Sequence, residues 1–138
     1  MYSRNFPNSN SLNFKISSPI TTTYNCIAWA YGSNSNRMWP NISNYFWPVG
    51  IPDIDHIDSF IELFKSIGYV VCVDGLLEDS FEKICLYEKD WLPKHAARQL
   101  PNGSWASKLG PMHDVEHSEH ALDGGDYGQI SVYMKRRI

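Results

Sequence analysis

Across the 138 residues of this chain no apolar run approaches the roughly 20 residues that a membrane-crossing helix requires. Met1 to Asn13 is polar and asparagine-rich, without the apolar centre of a secretory signal. Synthesis in the cytoplasm is the expectation, with export by a specialised system still compatible. Cysteine is scarce and odd in number, three in all, which points to reduced thiols and not to a disulfide framework. Charge of one sign is also scarce: 12 basic against 15 acidic residues give a net charge of −3. That balance speaks against a nucleic-acid surface, which needs a concentrated basic face. The one basic cluster, Lys135-Arg136-Arg137, reads as a solvated C-terminal tail. No phosphate-binding loop is present, because Asp123-Gly124-Gly125-Asp126 lacks the lysine and carries acids that repel phosphate. It reads as a turn, and no cofactor is expected. Internal repeats and low-complexity tracts are missing as well.

What the chain does have is apolar and aromatic substance, 43% and 14% of its residues, enough for one domain with a real core. Residues 1–20 read as an extended or poorly ordered lead-in, and 21–138 as the domain. After Thr21-Thr22-Thr23 comes a short helix with Asn25 as its N-cap and Gly32 as its stop. Ser33 to Pro52, rich in Asn, Pro and aromatics, has no helical or strand period and reads as an irregular cleft wall. Ile57, Phe60, Ile61, Phe64 and Ile67 recur at three- and four-residue spacing, which predicts a core-facing helix from Asp55 to Ile67. A short buried strand is expected over Tyr69 to Val73, then strands over Glu82 to Glu88, Lys94 to Leu100, Ser104 to Leu109 and Tyr127 to Met134. Helices followed by sequential strands make an α+β pattern. Cys72 and Cys85 fall in apolar runs and read as core residues.

Chemistry concentrates on Tyr24-Asn25-Cys26-Ile27-Ala28-Trp29-Ala30, where Cys26 opens the first turn of the short helix. Unpaired N–H groups at such a position favour the thiolate, the form that attacks a carbonyl. Far downstream His95 opens an alternating strand and offers a general base. A base needs an acceptor to fix its tautomer, and the turn Pro101-Asn102-Gly103 supplies the clue. Read as a three-residue hairpin loop, it sets Leu100 against Ser104 and Ala97 against Ser107. Gln99, Trp105 and Ser107 then share the face of His95. A two-residue loop would bring Lys108 there instead, a cation that cannot accept a hydrogen bond. Cys26, His95 and Ser107 are the candidate catalytic residues, with Asp114 and His117 as substitutes for Ser107. Trp29, Trp47 and Trp105 read as core, with the cleft as the alternative.

Two other readings compete. His113, His117 and His120 would follow one face of a helix and hold zinc, but the His-Glu-x-x-His signature is missing and no metal is assigned. A non-catalytic scaffold could instead bind a protein partner, such as a toxin, an immunity factor or a phage component, through the aromatic stretch from Trp39 to Trp47.

These segments, continuing through Phe46-Trp47-Pro48, Gly68-Tyr69, Glu82 to Tyr87, His95 to Leu100, Trp105 to Gly110, Asp114 to His117 and Tyr127-Gly128, resemble a family of small bacterial proteins of unassigned role. That family looks similar to the papain-like group, which includes NlpC-type cell-wall amidases and lecithin-acyltransferase-like proteins. The resemblance implies a papain-like (NlpC-type) α+β domain, with the early Cys-bearing helix packed on an antiparallel sheet. It implies a cysteine hydrolase or acyltransferase, with Cys26 as nucleophile and His95 as base, acting on a peptide, amide or acyl substrate. Ser107 departs from the His, Asn, Gln or acid usual at the third position.

Overall fold

The computed structural model describes residues 2, 4–33, 36–109 and 111–138. Its elements are β1 (Phe14–Ile16), α1 (Cys26–Tyr31), α2 (Ile57–Lys65), β2 (Val70–Cys72), β3 (Phe81–Lys89), β4 (Leu92–Gln99), β5 (Trp105–Lys108), β6 (Asp114–His117) and β7 (Gln129–Arg137). Among the described residues the strands form one sheet in the order β1-β6-β5-β4-β3-β7-β2, paired antiparallel throughout. This corrects the α+β, papain-like expectation. The two helices have six and nine residues, and the fold is β-rich. Cysteine before histidine is an order that many folds can carry, so it did not fix the architecture.

Strand alternation divides the sheet into two buried faces. On one, Ile84 and Leu86 of β3, Ala96 of β4 and Met134 of β7 meet Ile27 and Ala28 of α1 and Phe60, Leu63 and Phe64 of α2. Burying each phenylalanine of α2 stabilises this layer by about 1.5–3 kcal/mol. On the other face Cys85, Tyr87, Ala97, Trp105 and Val115 meet Tyr2 and Phe6. The lead-in is therefore a strap: its aromatics cover the second face, and β1 pairs with β6 through Phe14–His117 and Ile16–Val115.

Three local expectations also change. β2 is an edge strand with Val70 and Val71 about half exposed, not a buried one. The basic cluster is no solvated tail, since Lys135 and Arg136 lie in β7 and pair with Glu78 and Glu82. Asp114 to His117, which the zinc reading would set on a helix, is strand β6. Cys85 is buried as expected, whereas Cys72 is half-buried. No helix among the described residues is long and apolar enough to cross a membrane.

Candidate active site around Cys26 and His95

Asn25 builds one side of the site. Its Oδ1 accepts the Ala28 N–H (3.2 Å), capping α1, and also the Met38 N–H (3.0 Å). Its Nδ2 donates to the Met38 carbonyl (2.7 Å). One buried amide thus starts the helix and fastens the segment after it against that start. Cys26, the next residue, is 5% exposed and opens on a cavity of about 290 Å³. Asn25, Arg37, Trp39, Tyr45, Lys94 and Tyr127 are among its walls.

Burial pushes the Cys26 thiol up to about 11, against the pull of the backbone N–H groups of Ala96, Ile27 and Cys26 itself and of the Lys108 ammonium. The thiol is protonated at neutral pH. The Ala96 contact locates it: β4 and β5 pair only at Arg98–Ala106 and Gln99–Trp105, and beyond that point the sulfur faces the N–H of the residue that follows His95.

His95 projects to the opposite face, where its ring stacks on Tyr127 with centroids 4.0 Å apart and planes 6° from parallel. The hairpin register is the one read from Pro101-Asn102-Gly103, with Leu100 N–H donating to the Ser104 carbonyl (2.7 Å). It sets Ser107 Oγ 2.9 Å from His95 Nε2 and 2.7 Å from His117 Nε2. The proton positions follow from the far end of this chain. His117 Nδ1 lies 2.8 Å from the Ser118 carbonyl, which only accepts, so Nδ1 carries the hydrogen and Nε2 does not. Ser107 therefore donates to His117 and accepts from His95 Nε2–H. The lone pair of His95 is left on Nδ1, a buried atom with no hydrogen-bond partner. Burial, with the neighbouring His117 second, holds His95 well below the ordinary 6.5, and burial brings His117 down to about 4. Both rings are neutral at pH 7.

Of the three residues proposed to orient His95, Ser107 does so directly and His117 acts through Ser107. Asp114 faces the α1 layer, where it accepts from Tyr24 OH (2.7 Å). Cys26 lies against the Ala96 N–H on the α1 side of the sheet and His95 projects to the other side, with no hydrogen bond between them. Two neighbours were not anticipated. Lys108 sits on the Cys26 side, over the Tyr24 ring at 5.4 Å, and donates to the Thr21 carbonyl (2.7 Å) and to the Met112 carbonyl. Alternation could have placed it, because a Ser107 facing His95 turns Lys108 toward α1. Tyr127 carried no signal beyond its residue type. Trp105 is buried, Trp47 packs partly buried against the first core, Trp29 is half-buried between Tyr24 and the Arg98 guanidinium, and Trp39 is the tryptophan in the cavity wall. Gly110 of the Ser-Lys-Leu-Gly stretch lies outside the described residues, as do Met1, Ser3, Asn34 and Ser35 of the segments read above.

The three histidines of the zinc reading part company. His113 Nδ1 meets Tyr2 OH (2.6 Å), His117 joins Ser107, and His120 meets Asp123 (2.7 Å). No group of three metal-binding side chains occurs among the described residues. Two further clefts, of about 300 and 340 Å³, follow the N-terminal strap and hold no cysteine.

No curated protein and no solved structure matches the chain. A family model does, over residues 15–135, and the chain belongs to that family, described as a domain of unknown function (DUF7689).

Proposed function

We propose that this protein is a cysteine hydrolase or acyltransferase in which Cys26 attacks an amide or thioester carbonyl and His95 handles the proton. The observation that carries this reading is the bare Nδ1 of His95, left unpaired by the hydrogen-bond chain through Ser107 and His117, on the residue before Ala96, whose N–H faces Cys26. A buried acceptor without a donor is costly, about 1–3 kcal/mol, and such costs tend to persist at functional sites.

Because the resting pair is neutral thiol and neutral imidazole, the proton moves during attack. Cys26 S–H gives its proton to His95 Nδ1 as the sulfur bonds to the carbonyl carbon. The imidazolium keeps its Nε2–H on Ser107. The Cys26 N–H, already facing the sulfur, is the candidate donor to the oxyanion; one such donor is worth about 100-fold or more in rate. His95 then protonates the departing amine or thiol, and a thioester remains on Cys26. Water or an acceptor amine attacks that thioester, yields its proton to His95, and the proton returns to sulfur.

Incubation with activated aryl thioesters followed by intact-mass measurement tests the proposal. The expected result is one acyl adduct on Cys26 that turns over, is lost in Cys26→Ala and accumulates at least about tenfold more slowly in His95→Gln. Acylation spread over Cys72 and other groups, unchanged in Cys26→Ala, would contradict it.

A partner-binding role is the second reading, favoured by the exposure of Ile42, Phe46, Val49 and Ile54 along the segment that walls the cavity. Under it, Cys26→Ala leaves binding intact, while changes at Trp39 or Trp47 weaken it.

A further inference from the structure

The cavity beside Cys26 has a marked charge. Its lining includes Arg37 and Lys94 and no carboxylate, in a chain whose net charge is −3. Four other cations are neutralised, Lys65 by Glu62, Lys83 by Asp74 and Glu78, Lys135 by Glu78, and Arg136 by Glu82, whereas among the described residues Arg4, Lys15, Lys89, Arg98 and Arg137 show no ion pair. Among the described residues, Arg37 and Lys94 have no carboxylate within ion-pair distance.

Both cations are held in place by the fold. Arg37 precedes Met38, whose N–H and carbonyl are clamped by Asn25, and the Arg37 carbonyl accepts the Phe46 N–H (2.8 Å). The guanidinium lies 4.7 Å above the Tyr45 ring. That stacking occupies its face and leaves its N–H edges for an in-plane acceptor, the geometry that suits the two oxygens of an oxyacid. Lys94 alternates with His95 on β4 and so projects to the Cys26 side of the sheet. Trp39, Tyr45 and Tyr127 supply flat apolar walls. At about 290 Å³ the space is at the small end for ligand sites.

We infer that this cavity receives an anionic substrate, a carboxylate- or phosphate-bearing acyl compound with a flat or apolar body, whose charge is held between Arg37 and Lys94 while its carbonyl lies at Cys26. The inference rests on the reading of Cys26 as a nucleophile only for the placement of the carbonyl; the anion site stands on its own residues.

The test uses two reagents that differ in charge and little else. Iodoacetate and iodoacetamide are reacted with the full chain, with glutathione as reference, and the ratio of their rates at Cys26 is taken. The wild-type ratio should exceed that of glutathione by about tenfold or more, the equivalent of one modest charge contact of about 1.4 kcal/mol. It should fall to the glutathione value in Arg37→Ala with Lys94→Ala, and Arg37→Lys should retain part of it. In parallel, Cys26→Ala protein is titrated with benzoate and with phenyl phosphate by NMR. Saturable binding of either, lost in the Arg37→Ala/Lys94→Ala background, supports the inference, and the tighter ligand names the oxyacid. A glutathione-like ratio in wild type together with no saturable binding overturns it, even if Cys26 proves reactive. Binding without Cys26 reactivity would leave the anion site standing and remove the nucleophile.

Discussion

Ser107 holds its position in the account through two hydrogen bonds that leave its hydroxyl no freedom. It accepts from one buried imidazole and donates to another. Ser107→Ala removes both, strands His95 Nε2–H and His117 Nε2, and is expected to destabilise the protein by about 1–3 kcal/mol in urea unfolding. The same change frees His95 to take either tautomer, so Cys26 acylation should slow by at least about tenfold at a pH where the fold is intact. Unchanged acylation in a folded Ser107→Ala protein would show that the chain of hydrogen bonds has no part in the chemistry. Ser107 was legible from the order Pro-Asn-Gly, because that order selects a loop length and loop length sets the strand register. His117 was legible only as a substitute. Its partner lies on a neighbouring strand, and no strand was read over Asp114 to His117.

At the scale of elements, the N-terminal strap shows what sequence periodicity conceals. β1 has three residues and β6 four, too short for an alternating pattern to stand out. The strap is also fastened by a close approach at the turn before β7, where a Cβ on Gly125 would fall 1.8 Å from the Asn5 carbonyl oxygen. That turn also donates the Asp126 N–H to the same carbonyl (3.0 Å). Gly125→Ala should therefore lift the strap and expose the second face. Limited trypsin digestion should then cut at Arg4 and Lys15 severalfold faster than in wild type, with the rest of the chain still protected. Equal cleavage rates would mean that the strap is held elsewhere. The helix α2 and strands β3, β4 and β7 were readable for the opposite reason. Each is eight or more residues long and carries its period over most of that length.

For the molecule as a whole, the buried histidines make stability depend on pH in a definite direction. His95 and His117 are held below 6.5 in the folded state, His117 near 4, and return to ordinary values on unfolding. Between about pH 6.5 and 4 the unfolded chain binds the extra protons, so stability falls as pH is lowered through this window. The slope is about 1.4 kcal/mol per pH unit for each histidine. Urea unfolding at several pH values measures it, and His117→Gln should reduce the slope by close to one proton if it folds. A flat profile over this range would show that these rings are not buried neutral. The β-rich architecture behind this behaviour was the least readable feature. A two-layer core with a strap on one side and short helices on the other leaves no local mark in sequence, whereas the Cys-then-His order is conspicuous and belongs to no single fold.

The central claim is that His95 takes the proton of Cys26, and the pH dependence of Cys26 alkylation by iodoacetamide measures it most directly. In the wild type, transfer of the proton to the bare Nδ1 keeps a small thiolate population at all pH values between the two titrations. The rate should then fall with pH only to a floor on the acid side and run level there. In His95→Gln the thiol stands alone with its pKa raised toward about 11, and the rate should fall about tenfold with each pH unit below that value. Coincident profiles for the two proteins, both rising with the same slope up to alkaline pH, would contradict the account.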